Sequence, residues 1–291
     1  MRAVVFAYHD VGVHCLNALL NAGVTIELVI THQDDPQENV WFSSVAKLCE
    51  AKHIPYITPS AAELTKLIPN LQKLAPDYLF SFYYRHMIPA EILTVAKIAA
   101  LNMHGSLLPK YRGRAPVNWA ILHGEKETGA TLHIMETKPD AGAIVSQVSV
   151  PIGPNETATQ VFSKVSKAAV EAITQVLPAL LRGEVPQRPN ELSQGSYFGG
   201  RKPEDGRIDW NQSAQQVHNL IRAVAPPYPG AFTTWQGQDH IIARSSLTGS
   251  FPDNLNLQTP GIQVVDNRVF GVCGDQRALE ILEWFPANKT R

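Results

Sequence analysis

The chain has 291 residues, 44% of them hydrophobic and 18% charged, with a formal net charge of −1. Such a composition supports a soluble globular protein with a sizeable core, and the length suggests about two domains. It argues against a broad basic surface for nucleic acid, and no apolar run reaches the about 18 residues of a spanning helix, so no membrane insertion is expected.

Residues 2–7 (RAVVFA) read as a short buried strand, followed by helical apolar spacing over 11–23 with Gly23 as the stop. TIELVIT (25–31) is a second β-branched run, VWFSSVAKLCEAKH (40–53) the next helix and IPYIT (54–58) a short strand. AAELTKLIPNLQKLA (61–75) has helical spacing that Pro69 bends or divides. DYLFSF (77–82) is a strand, PAEILTVAK (89–97) a helix with Pro89 near its first turn, and AALNMH (99–104) another strand. This alternation predicts an α/β fold, an open, mostly parallel Rossmann-like sheet with helices on both faces.

Farther on, residues 128–152 read as two β segments around the loop ETKPDAG, and 157–183 as a long amphipathic helix ending at Gly183. Residues 184–206 are rich in Pro, Gly and polar side chains and make the best linker. Beyond them come one helix (213–225) and about five short β runs, GAFTTWQ, DHIIARSSL, GIQVVDN, RVFGVCG and ALEILEWF, which suggest a small barrel-like (OB-like) domain. The expected division is a catalytic domain over 1–188, a linker over 189–205 and a small β domain over 206–291. Cys15, Cys49 and Cys273 are too sparse for a disulfide framework or a zinc site, so a reducing, cytoplasmic compartment is expected. MRAVVFAYHD lacks the pattern of a signal peptide.

Asn102 and His104 stand two apart near the carboxyl end of a predicted strand, so they share a face where open α/β sheets bind ligands. An amide can steady a developing oxyanion and an imidazole can move a proton, a pair suited to acyl transfer. No Gly-x-Ser-x-Gly elbow or nearby cysteine offers a nucleophile, so direct transfer to an incoming amine fits better than a covalent intermediate. Two residues capping a strand end would look the same. Asp140, in a Pro-Asp-x-Gly loop, is either turn chemistry or the carboxylate that orients His104 and raises its pKa. Lys110, Arg112 and Arg114 surround Gly113 and suit a phosphate or carboxylate, or are a solvated basic loop. SFYYRHMIP (81–89) either lines a flat pocket for a ring system or belongs to the core. HQDD (32–35) and the ten histidines show no metal-ligand spacing, and FAYHDVG lacks the dinucleotide fingerprint.

The stretch LNMHGSLLPKYRGRAPVNWAILHGEKETGATLHIMETKPDAGAIV resembles the folate-dependent formyltransferases, the methionyl-tRNA formyltransferase-like family, in its Asn-x-His, Ser-Leu-Leu-Pro, Arg-Gly and downstream Asp-x-Gly. VVFAYHD, FSFYYRH, RAVAPPYPGAF and GRIDW extend the likeness over nearly the whole chain. Within the family it more closely resembles the formyltransferase half of the bifunctional polymyxin-resistance enzymes, which formylate UDP-4-amino-4-deoxy-L-arabinose for lipid A modification. The resemblance implies that Asn102 stabilises the oxyanion, His104 is the general acid/base and Asp140 holds His104. It further implies that His86, Met87 and Ile88, with Glu136, Thr137, Lys138, Pro139 and Asp140, cradle the pterin of 10-formyltetrahydrofolate, and that Arg114 holds the sugar nucleotide. No metal and only small-molecule partners are implied. The bifunctional relatives carry a second, decarboxylating domain that this chain does not contain, so it is expected to be a free-standing formyltransferase or one half of such an enzyme. Gly105 and Arg114 favour the sugar nucleotide over methionyl-tRNA, which stays an alternative acceptor beside other nucleotide-linked amino sugars. The non-enzymatic alternative is a folate sensor that binds without turnover.

Overall fold

The computed structural model describes residues 1–34 and 40–287. In chain order the elements are β1 (Arg2–Ala7), α1 (His9–Asn21), β2 (Thr25–Ile30), α2 (Val45–Lys52), β3 (Tyr56–Ile57), α3 (Ile68–Leu74), β4 (Tyr78–Phe82), α4 (Ala90–Leu93), β5 (Ala99–His104), β6 (Arg112–Gly113), α5 (Pro116–Leu122), β7 (Glu127–Ile134) and β8 (Ile144–Pro151). They continue with α6 (Ala158–Leu181), β9 (Tyr197–Phe198), α7 (Ala214–Ala223), β10 (Ala231–Trp235), β11 (Gln238–Ser246), β12 (Gly261–Val265), β13 (Arg268–Val272) and β14 (Ala278–Pro286). Two compact units divide the chain discontinuously: Met1–Gly113, Thr128–Val150 and Lys164–Phe198 form one, and Arg114–Glu127, Pro151–Ser163 and Gly199–Arg291 the other.

The first unit is built on a seven-stranded sheet in the order β3-β2-β1-β4-β5-β7-β8. Strands β1 to β5 pair in parallel, and β7 runs antiparallel to β5. The open, mostly parallel α/β sheet expected from the alternating pattern is therefore present. All five residues of β4 are buried, as a central parallel strand covered on both faces requires. Val4 and Phe6 of β1 point to one side and join Ile30, Leu71, Leu79 and Ile92 in a core beneath α3 and α4. On the other side α1 lies so close that a Cβ on Gly12 would stand 3.2 Å from the backbone of Ala7. The Tyr78 hydroxyl donates to the carbonyl of Leu180 near the end of α6, 3.0 Å away.

Three helices of this unit are shorter than their sequence patterns suggest. Residues 40–44 are not helical; α2 starts after Ser44, whose side chain accepts from the Lys47 amide. The segment 61–75 is split, a 3-10 stretch over Ala61–Leu67 followed by α3 with Pro69 in its first turn, because proline has no amide to bond backwards. PAEILTVAK makes only the single turn of α4. The Pro- and Gly-rich stretch after α6 carries structure too, since β9 pairs in parallel with β6.

In the second unit five antiparallel strands follow the order β10-β11-β14-β13-β12, a barrel-like sheet with β10 and β12 as its edges. Two hairpins close on two-residue turns with both central φ positive, Gln236-Gly237 and Asp266-Asn267, the type I′ geometry that matches strand twist. Helix α7 opens with a capping box between Ser213 and Gln216. It packs on α5, and the Asn118 amide donates to the Ala223 carbonyl at 2.7 Å. Helix α5 was not anticipated; Pro116 at its first turn marks its start, yet the preceding Gly-Arg loop masks the pattern.

Candidate active site

Strand β5 sets the site. Leu101 and Met103 are buried on one face, and Asn102 and His104 fall on the other. His104 is only 6% exposed. The chain then turns through Gly105–Pro109, and this turn is tied down by side chains of the neighbouring strands. Thr131 Oγ1 donates to the Ser106 carbonyl at 2.6 Å and accepts from the Leu108 amide, while Gln147 Nε2 donates to the Leu108 carbonyl. Ser106 Oγ donates to the Lys110 carbonyl at 2.6 Å. The anchored turn delivers the Tyr111 carbonyl to His104 Nε2, 2.7 Å away. A carbonyl only accepts, so Nε2 carries the hydrogen and the neutral ring presents a lone pair at Nδ1.

Asp140 reaches this face from the loop after β7. Its Oδ1 lies 3.5 Å from His104 Nδ1, 3.5 Å from Asn102 Nδ2 and 3.4 Å from His133 Nε2. Its Oδ2 accepts from the Gly113 amide at 2.8 Å. Gly113 has φ +97°, and a Cβ there would run into the Phe198 carbonyl, so only glycine lets β6 turn its amide onto the carboxylate. Asp140 itself has φ +51°, an uncommon conformation for a residue with a side chain. Asn190 Nδ2 holds it there by donating to the carbonyls of Asp140 and Gly142, each at 3.1 Å.

Burial on its own would push the Asp140 carboxyl up. His104, His133 and the Gly113 amide outweigh it and hold the carboxyl well below the usual carboxylate range. At His104 burial prevails instead, and it lowers the pKa despite the opposing pull of Asp140 and the Tyr111 carbonyl. The expected rise at His104 is thus corrected: the carboxylate does favour the imidazolium, but removing the ring from water costs more. The resting pair is an ionised Asp140 beside a neutral, basic His104.

The structure brings Asn102, His104 and Asp140 together. His86, Met87 and Ile88 follow β4; Ile88 packs on the core cluster that also takes Met135, just before Glu136. Met87 is 64% exposed, and Glu136, Thr137 and Lys138 are exposed, with Pro139 half-buried. Arg114 directly follows Gly113 but belongs to the second unit, where its stem passes Gly200. Arg201 follows Gly200, and its guanidinium covers the Trp119 ring at 4.9 Å. Arg201, Lys202, Ala115, Asn118 and Tyr228 line a pocket of about 170 Å³. Asp35 of HQDD lies outside the described residues; among the described residues no group of three or more His, Cys, Asp or Glu side chains is arranged to hold a metal ion. Among the described residues no helix is long and apolar enough to cross a membrane.

His133 escaped the sequence reading. It is 2% exposed, and it stands directly across from Asn102 in the antiparallel β5–β7 pair. Its one signal was a lone imidazole in the apolar strand TLHI, and only the register says what it faces.

The family model described as formyl transferase matches residues 1–177, and the one described as formyl transferase, C-terminal domain, matches 201–291. Among solved structures, WlaRD, a sugar 3N-formyl transferase determined in the presence of dTDP and 5-N-formyl-THF, is 20% identical with a TM-score of 0.73, covering 99% of this chain and 98% of that one. An N-formyltransferase from Helicobacter canadensis, in complex with folinic acid and dTDP-3-aminofucose, is 20% identical with a TM-score of 0.74, covering 96% and 98%. A 4-N formyltransferase from Francisella tularensis is 21% identical with a TM-score of 0.63, covering 79% and 91%. At these identities the likeness is one of fold.

Proposed function

The chain belongs to the formyl transferase family, and we propose that it moves the formyl group of 10-formyltetrahydrofolate to the 4-amine of UDP-4-amino-4-deoxy-L-arabinose. The observation that carries the transfer is the meeting of Asn102, His104 and Asp140 on one face of β5. The nucleotide-linked amino sugar as acceptor is supported by the dTDP sugars and folates named for structures of like fold. The arabinose derivative, and with it a step toward lipid A modification and polymyxin resistance, rests on the sequence resemblance.

In this reaction the amine nitrogen attacks the formyl carbon and a C–N bond forms while the carbonyl pair moves onto oxygen. Asn102 donates an amide hydrogen to that oxygen. His104 Nδ1, kept as the lone-pair nitrogen by the Tyr111 carbonyl, takes the proton that the amine loses. Asp140 stabilises the resulting imidazolium across 3.5 Å. Collapse of the intermediate breaks the bond to the folate nitrogen, which receives the proton from His104. The products are a formamide and tetrahydrofolate, with atoms and charge balanced.

His86–Ile88 and Glu136–Asp140 lie outside regular strands, so their peptide groups suit the alternating donors and acceptors of a pterin edge. In the second unit Arg201 and Lys202 bring positive charge to a pocket with apolar walls, and Arg114 passes Gly200, the neighbour of Arg201; this is chemistry that takes a nucleoside diphosphate.

The test incubates the full chain with 10-formyltetrahydrofolate and a panel of amines, reading product mass, with His104→Ala as control. Formylation of UDP-4-amino-4-deoxy-L-arabinose by wild type and not by the variant is expected. Transfer to a dTDP-amino sugar or to methionyl-tRNA instead would overturn the acceptor, and no transfer to any amine would overturn the reaction.

A further inference from the structure

We propose that His133 is a positioning residue for Asn102, and that its unprotonated Nε2 decides which way the Asn102 amide points. The inference rests on the transfer reaction proposed above. Asn102 and His133 are direct partners in the antiparallel β5–β7 register. His133 Nδ1 lies 2.7 Å from the carbonyl of Ile134, which only accepts, so Nδ1 carries the ring hydrogen. Nε2 of the neutral ring is then a lone pair, and it accepts from Asn102 Nδ2 at 3.0 Å. With the amide turned over, the Asn102 oxygen would face that lone pair and the Asp140 carboxylate together. The backbone carbonyl of β7 thus selects a tautomer, and the tautomer selects the amide orientation.

One Asn102 hydrogen is engaged by His133. The other has only Asp140 Oδ1 at 3.5 Å, beyond a strong hydrogen bond, and can close on an oxygen that gains charge. The other tautomer would reverse the arrangement. A hydrogen on Nε2 would repel the Asn102 amide and turn to Asp140 Oδ1, 3.4 Å away.

The test compares full-length His133→Leu and His133→Gln with wild type. The readouts are kcat, KM and pH–rate profiles, thermal midpoints as a check of folding, and the side-chain ¹⁵N amide resonance of Asn102. Leucine should lower kcat by about 10–100-fold with little change in either KM, the scale of a displaced catalytic group. Glutamine can accept from Asn102 and should restore most of kcat. The Asn102 resonance should be displaced in His133→Leu and lie close to its wild-type position in His133→Gln. Wild-type kcat and pH profile in His133→Leu, or a glutamine variant no better than leucine, would overturn the proposal. So would an Asn102 resonance unchanged between wild type and His133→Leu. If no amine is formylated at all, the transfer reading fails, and the resonance still decides the hydrogen bond. If the leucine variant does not fold, the glutamine variant and the resonance decide.

Discussion

Asp140→Asn keeps the shape of the side chain and removes its charge. In the native protein Asp140 Oδ1 is 3.5 Å from His104 Nδ1 and Oδ2 accepts the Gly113 amide. When His104 takes a proton, opposite unit charges at that separation attract by about 5 kcal/mol at an effective dielectric constant near 20. A substituted amide recovers part of this through its dipole, leaving about 3–4 kcal/mol of lost stabilisation once the imidazolium forms. At 1.4 kcal/mol per tenfold, kcat should fall by roughly 10²–10³. The acid limb should move as well. Burial already lowers the His104 pKa and Asp140 opposes it, so loss of the carboxylate shifts the limb to still lower pH. The assay is kcat against pH for wild type and variant at saturating substrates, with a thermal melt to confirm folding. A folded variant with wild-type kcat and an unmoved acid limb would refute the Asp140–His104 pairing.

Gly113→Ala should destabilise the chain by about 2–3 kcal/mol, because the new methyl meets the Phe198 carbonyl and the residue must keep a positive φ; equal urea midpoints for variant and wild type would contradict the close approach. Arg114→Ala should raise KM for the sugar nucleotide about tenfold and leave KM for the folate donor unchanged; an equal rise in both would count against acceptor binding by this residue. Acid should lower stability before carboxylates titrate. Burial lowers the pKa of His104 and His218, and lowers that of His32 to about 4, with His86 and Arg85 adding to the effect at His32. The unfolded chain takes up these protons near pH 6.5 and the folded chain only below it. Stability is therefore complete above about pH 6.5 and declines toward pH 4, and a urea midpoint that holds or rises between about pH 7 and pH 5 would refute the assignment.

Local periodicity was enough to read the parallel half of the sheet. Short continuous apolar runs and the helices between them are properties of neighbouring residues, and so is the shared face of Asn102 and His104. At the ends of elements local reading went astray: α4 is one turn, α2 starts only after Ser44, and α5 hides behind the Gly-Arg loop. What completes the site is not local. Asp140 comes 38 residues after Asn102 and Asn190 another 50 after Asp140, and their meeting depends on where loops fold back rather than on any spacing. His133 faces Asn102 only because β7 pairs antiparallel with β5, a register that no pattern within either strand encodes. The pKa of His104 is decided the same way. Its neighbours in sequence say nothing of burial, and it is burial, set by every element packed around the ring, that outweighs the carboxylate and leaves the imidazole a base.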